Sequence, residues 1–527
     1  MTETTATATT GTRRRPTGAE TLVGAAVAAG IEVCFANPGT TEMPIVSALD
    51  AVPGLRAVLG LHENVCTGAA DGWARIAGRP AATVLHLGPG LANGLANLHN
   101  ARRAGTPVVN LVGDHASWHL PYDAPLTSDV AALARTVGTV LTARRRETLA
   151  DDVVAAVASA THRPGVASLV VPADLQQATW PEDPPKAAPA TRRTSPVPDE
   201  RVATIAGLVK EHGPAVVLLL GGTALSRPAQ LAAGRIAAAT GATLFSETFP
   251  ARVERGGGLP GIDRLPYFPE TAVHALRDRH VVLAGAAAPV AYFGYEDVPS
   301  LLAPEHLVHR LSGPDQDGEQ ALLALAERLG GAEPAAPGPA PEPPPRSAPL
   351  DGRTVGATLA ALLPDGAIVS IEGGTCGYPF FTASAAAAAH TCLTNTGGAI
   401  GQGLPAALGA AVAAPDRPVV ALQSDGSGLY TAQALWTMAR ERCHVVVLVA
   451  ANHAYGVLRT ELGRHGDDDP GPQARALTSL AEPRLSWTDL AHGFGVPATR
   501  AATVGELAAQ FTAACTTPGP HLIEMAL

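Results

Sequence analysis

The chain has 527 residues, 46% of them hydrophobic, and a net charge of −10. That length holds several buried cores, and at roughly 150 residues per domain it suggests three domains. The acidic balance and an aromatic content of 4% exclude a nucleic-acid footprint, which needs a basic stripe or stacking platforms. No apolar run reaches the roughly 18 residues of a membrane span.

Residues 1–16 are Thr-rich and carry Arg13-Arg14-Arg15 without the apolar stretch of a secretory signal, and they read as a disordered tail. Two Pro-rich stretches, 181–198 and 333–349, favour extended backbone and read as linkers. They leave three pieces of domain size, 17–180, 199–332 and 350–527. In the first, apolar strands at 31–35, 82–87 and 107–112 accompany a helical stretch at 91–104. The second has strands at 215–220 and 280–284, and the third at 367–371, 419–423 and 444–450. Continuous apolar strands separated by helices indicate parallel sheets covered on both faces. The expected fold class is therefore α/β, with three consecutive doubly wound parallel-sheet domains. Ligands in such sheets sit at the carboxyl ends of strands. The six cysteines form no C-x-x-C pair, which fits a reduced, cytoplasmic protein without a zinc site.

The strand at 419–423 runs into Ser424-Asp425-Gly426-Ser427-Gly428, and the strand at 444–450 into Ala451-Asn452-His453-Ala454-Tyr455-Gly456. Asp425 and Asn452 are 452 − 425 = 27 residues apart, one helix and one strand, so both can face one crevice. A carboxylate with amide and backbone carbonyl oxygens is the hard donor set that Mg2+ takes. Gly426 lets the backbone approach a diphosphate, and a following helix N-terminus favours its charge.

This pair resembles the fingerprint of thiamine-diphosphate (ThDP) enzymes of the acetolactate synthase and benzoylformate decarboxylase family. Ser424 and Ala451 stand where that pattern has Gly and Asn. The resemblance makes Asp425, Asn452 and the Ala454 carbonyl the metal ligands. It adds Thr375, Gly398, Gly426, Ser427, Tyr430, Tyr455 and Gly456 to the cofactor-binding set. In Gly397-Gly398-Ala399-Ile400-Gly401-Gln402-Gly403, Ile400 takes the place of the residue that bends the cofactor.

Upstream, Glu63 precedes Gly68-Ala69-Ala70-Asp71-Gly72-Trp73-Ala74-Arg75, which resembles the family's E-x5-A-A-D-G-Y-A-R segment. Glu63 is then the acid that activates the pyrimidine ring. Asn37-Pro38-Gly39-Thr40-Thr41-Glu42 resembles the N-P-G-S-x-E turn of benzoylformate decarboxylase, which implies a turn approaching the pyrimidine with Thr40 facing substrate. His86, before Gly88-Pro89-Gly90, is the candidate proton or carboxylate partner, and Asp114-His115 is a second candidate pair. His119 and His453 read as bystanders.

The resemblance covers roughly 18–527 and implies decarboxylation of a 2-oxo acid, with aldehyde release or carboligation. It implies a homodimer or homotetramer whose sites are shared between chains. No Arg or Gly pattern compels a flavin (FAD) in the central piece, and 289–295 offers aromatics where benzoylformate decarboxylase brings a His. A catalytically altered, cofactor-binding paralogue with a regulatory or pathway-specific role is the alternative.

Overall fold

The computed structural model describes residues 15–162, 164–179, 194–330, 332–334 and 338–527. Most of the expected tail (1–16), residues 181–193 of the first Pro-rich stretch and 335–337 of the second lie outside the described residues.

Among the described residues, the first sheet holds β1 (Val33–Asn37), β2 (Arg56–Leu59), β3 (Ala81–His86), β4 (Val108–Asp114), β5 (Thr139–Thr142) and β6 (Val166–Pro172). Its order is β2-β1-β3-β4-β6-β5, all parallel. The next strands are β7 (Val216–Leu220), β8 (Thr243–Ser246), β9 (Arg252–Arg255), β10 (Asp263–Arg264), β11 (His280–Ala284) and β12 (Val308–Ser312). All but β9 form a second parallel sheet, β10-β8-β7-β11-β12. The third sheet is built from β13 (Ala367–Ile371), β14 (His390–Thr394), β15 (Val419–Ser424), β16 (Val445–Ala451), β17 (Ala498–Ala501) and β18 (His521–Ala526). Its order is β17-β18-β16-β15-β13-β14-β9.

The α/β class and the three sheets are those expected. The third sheet differs from a wholly parallel one at its edge, where β9 joins antiparallel to β14 with Arg255 opposite His390. This strand comes from the middle of the chain and reads Arg-Val-Glu-Arg, so no apolar run betrays it. Its charges also suit an edge strand, which must not pair further.

Sheet order reverses between β1 and β3, and again between β13 and β15. Such switch points open a crevice at the carboxyl ends of the strands. Asn37 and His86 end the first pair, and Glu372 and Asp425 follow the second.

The helices Glu63–Ala77 and Gly403–Ala413 bind the first sheet to the third. Both are rich in Gly and Ala and almost wholly buried. Small residues let the two backbones come close. A Cβ on Gly409 would stand 1.9 Å from the Ala69 carbonyl oxygen, and one on Gly72 would stand 2.2 Å from that of Ala406. One apolar cluster runs through this layer, from Phe35 and Trp73 to Leu404, Val447 and Leu522.

We expect Gly409→Ala to cost about 1–3 kcal/mol through overpacking; an unchanged melting temperature would refute this close approach. A second prediction concerns His390, 2% exposed on β14. Its Nδ1 meets the Ala388 carbonyl oxygen at 2.8 Å. Burial pushes its pKa from 6.5 down to about 4, so the folded chain holds it neutral where the unfolded chain binds a proton. Its contribution is complete above pH 6.5 and is lost as pH falls towards 4, about 3 kcal/mol in all. In His390→Asn, melting temperature should fall less steeply than in the parent between those pH values.

Candidate active site

The N-terminal half of the site forms where β1 and β3 end. Glu63 is the first residue of its helix, which His62 caps, and is 7% exposed. Its Oε1 accepts from Asn37 Nδ2 at 3.1 Å and its Oε2 from Asn93 Nδ2 at 3.0 Å. A Cβ on Gly90 would lie 3.3 Å from both Glu63 Oε1 and the His86 Cβ, so Glu63 and His86 are near neighbours. Leu87, at φ 51°, turns the chain sharply after His86. Thr40 is exposed on the turn, and it is Thr41 that reaches His86, with Oγ1 3.1 Å from Nδ1. Glu42 Oε2 lies 2.8 Å from the same nitrogen.

His115 lies on the adjacent strand end, two residues beyond Gly113, the partner of His86 in register. Its backbone N–H donates to Asp114 Oδ1 at 2.8 Å, and its Nε2 is buried without a partner among the described residues. Burial holds the Asp114 carboxyl above its usual range.

The C-terminal half is built on neighbouring parallel strands, with Ser424 opposite Ala450. Asp425 is buried. Its Oδ1 accepts from Gly426 N–H at 2.8 Å and its Oδ2 from His453 N–H at 2.6 Å. The expected pairing of the two loops is thus direct. Burial raises the Asp425 pKa, and those two N–H groups offset it only partly. Asn452 Oδ1 accepts from Ala454 N–H at 3.1 Å, folding the loop back on itself. Tyr455 covers Gly426, where a Cβ would meet its ring at 2.6 Å. Gly456 opens the helix Gly456–Arg464, which has no buried residue. Ser427 Oγ accepts from Gln423 Nε2 at 2.7 Å, while Thr375 and Tyr430 are exposed. His453, read from sequence as a bystander, sits at this cluster with Nδ1 4.0 Å from Asp425 Oδ2.

Neither departure from the family pattern displaces these groups. The Ser424 hydroxyl packs over Gly373, where a Cβ would lie 2.6 Å from it. Ala451 is buried inside β16.

The Ile400 loop joins the halves. Asn97 Nδ2 donates to the Gly401 carbonyl at 3.1 Å, and Asn100 Nδ2 to that of Ala399 at 2.8 Å. Gly398 is exposed, and Tyr292 of the central piece lies 3.8 Å from where its Cβ would be. From beneath, the Glu372 carboxylate accepts from Gly401 and Gly403 N–H, and from Gln423 Nε2 at 3.1 Å. Burial raises its pKa against those donors. The sequence reading missed Asn93, Asn97, Asn100 and Glu372, and it gave Glu42, the last residue of the N-P-G-S-x-E turn, no role of its own. The three asparagines carry a signal, since their spacing puts them on one face of the helix Leu87–Ala104. Glu372 carries none.

A buried carboxylate beside an amide oxygen suits a small hard cation, and the glycine-floored loop beside it suits a diphosphate. The model of the N-terminal TPP-binding domain of thiamine pyrophosphate enzymes matches residues 16–133, and that of the C-terminal TPP-binding domain matches 374–525. The chain therefore belongs to the thiamine pyrophosphate enzymes, and to their decarboxylase and acetolactate synthase-like members.

Among particular relatives, a Mycobacterium tuberculosis protein provisionally named acetolactate synthase large subunit IlvX is 48% identical, over 96% of this chain and 98% of its own. Benzoylformate decarboxylase of Pseudomonas aeruginosa is 29% identical, over 94% of this chain and 96% of its own. The structure of a 4-hydroxybenzoylformate decarboxylase from Rhodococcus jostii RHA1 superposes with a TM-score of 0.84, covering 97% of this chain and 99% of that one, at 24% identity.

Glu372→Gln tests the clamp beneath the loop. It exchanges a two-oxygen acceptor for one oxygen and an amide that cannot accept. ThDP binding should weaken about tenfold, the worth of roughly one charge-assisted hydrogen bond. Titration calorimetry reads this, and unchanged affinity would show that the loop holds its shape without the carboxylate.

Proposed function

We propose that this chain catalyses ThDP- and Mg2+-dependent decarboxylation of a 2-oxo acid, followed by release of an aldehyde or by carboligation. The observation that carries the reading is the buried Glu63 carboxylate, held by two amide donors beside His86 at a strand-end crevice. When bound, ThDP supplies a carbon nucleophile and an electron sink. Asp425, Asn452 and the Ala454 carbonyl would hold the metal. Glu63 would hold a proton against the pyrimidine ring, Ile400 would support the rings, and His86 would exchange a proton with substrate.

Exposed apolar side chains support an assembly with sites shared between chains. Met43, Leu61, Trp118 and Tyr122 are exposed on the N-terminal segments that bear Glu63, His86 and His115. Tyr430, Val457, Leu458 and Leu477 are exposed on those around Asp425 and Asn452. Patches of this kind mark contact surfaces, and a homodimer that covers both is the smallest assembly. Among the described residues no helix is long and apolar enough to cross a membrane. With six unpaired cysteines, this fits a cytoplasmic site of action.

The test is incubation with ThDP, Mg2+ and a panel of 2-oxo acids that includes pyruvate and benzoylformate. Carbon dioxide and ligation products are followed separately. Carbon dioxide from at least one acid is expected, and its absence from all would leave the altered paralogue as the reading. Both ligands together should raise the melting temperature, and Asp425→Ala should abolish the rise. Glu63→Gln should retain it while lowering turnover about 10²–10⁴-fold.

A further inference from the structure

The turn after β1 holds a carboxylate that the function above does not use. Glu42 is fully buried, and His86 is its one ion-pair partner among the described residues. A buried carboxylate costs several kcal/mol unless its oxygens are satisfied. Here Oε2 accepts from Gly39 N–H at 2.8 Å and faces His86 Nδ1 at 2.8 Å, while Oε1 accepts from the Thr41 hydroxyl.

Two glycines clear the space. A Cβ on Gly113 would stand 1.6 Å from Glu42 Oε1, and one on Gly39 would stand 2.3 Å from the His86 ring. Gly39 has φ −116°, and Gly113 is not among the residues at positive φ. Room for the carboxylate and the ring, not backbone freedom, is what these glycines supply.

The geometry fixes the imidazole chemistry. Nδ1, facing a carboxylate, carries the proton and donates it to Glu42. Nε2 then keeps its lone pair, has no protein partner among the described residues, and belongs to a side chain 20% exposed beside Glu63.

We propose that Glu42 is a positioning residue, which holds His86 with Nε2 towards the reacting carbon and offsets the charge when that nitrogen is protonated. This rests on the function proposed above and deepens it. In aldehyde release the bond from the carbonyl carbon to the carboxylate breaks and carbon dioxide leaves. The electron pair stays with that carbon, and Nε2, protonated beforehand from water, gives that proton to the new C–H bond. His86 is left neutral and regains its proton from water.

The test is a double-mutant cycle on the full chain with ThDP and Mg2+, using the panel acid that the parent decarboxylates. Glu42→Gln removes the negative charge that Nδ1 faces while its amide oxygen still accepts from Gly39 N–H and from Nδ1, and its amide nitrogen meets the Thr41 hydroxyl. We expect kcat for aldehyde release to fall about 10²–10³-fold, with ThDP affinity and the ligand-induced rise in melting temperature unchanged. In a His86→Ala background, Glu42→Gln should change kcat by less than twofold. Independent, additive losses in the two variants, or an unchanged kcat in Glu42→Gln, would overturn the proposal. So would a loss confined to ThDP affinity, which marks a purely structural role. Should Glu42→Gln fail to fold, Gly113→Ala displaces the carboxylate with its charge retained, and the same fall and the same non-additivity are expected. A parent that decarboxylates no acid defeats the proposed function itself, whereas an active parent with an additive cycle defeats this inference alone.

Discussion

Three parts of the chain meet at one guanidinium. Arg75 forms a buried bidentate pair with Asp71 one helical turn earlier, at 2.8 and 2.6 Å. Its remaining N–H groups reach the Thr394 carbonyl at the end of β14, the Ala251 carbonyl just before β9 and the Thr396 hydroxyl. Asp71 Oδ2 also accepts from Gln402, at the foot of the Ile400 loop, at 2.6 Å. A buried pair of this kind returns little net stability, but removal of one partner strands a charge and costs about 3–5 kcal/mol. Its effect is therefore to fix one arrangement of the N-terminal helix, the central edge strand and the cofactor loop. The helix contact around Gly72 and Gly409 depends on the same arrangement, because neither backbone tolerates a shift outward without opening a void.

From that contact the site follows in short steps. The helix Glu63–Ala77 is held at its middle, so its first residue is held over the ends of β1 and β3. The helix Gly403–Ala413 is held likewise, so the loop before it is fixed against Asn97 and Asn100. Glu372 and Gln423 carry the order onward to Ser427 and the Asp425 turn. The two half-sites thus share one rigid layer. The residues that would meet ligand or a second chain are different in kind: the helix Gly456–Arg464 and the 115–122 segment are largely exposed and carry the aromatic and aliphatic side chains left uncovered.

Two carboxylate contacts escaped the sequence reading for the same physical reason. Glu42 and Glu372 act through contacts with residues 44 and 29 positions away, His86 and Gly401, and nothing in their local sequence marks a partner. The long apolar strands were legible because burial on both faces leaves a continuous apolar run. The expected strand at 280–284 stands as β11 and that at 367–371 as β13. Strand β9 was not legible, since an edge strand may be short and charged. That His453 stands beside Asp425 left no mark in the sequence, because the contact is made by a backbone N–H, which every residue but proline offers.

The sequence by itself determined the class of sheet, the succession of sheets along the chain and the strand-end loops proposed to carry chemistry, since periodicity and motif spacing are local quantities. It also determined the family, through segments whose Gly, Asp and Arg positions serve close helix packing as much as the cofactor. Only the tertiary structure decided that β9 closes the third sheet, that Thr41 reaches His86, and that Glu42 faces its Nδ1. Those are encounters between distant segments, set by how helices and sheets pack and by where a missing Cβ leaves room.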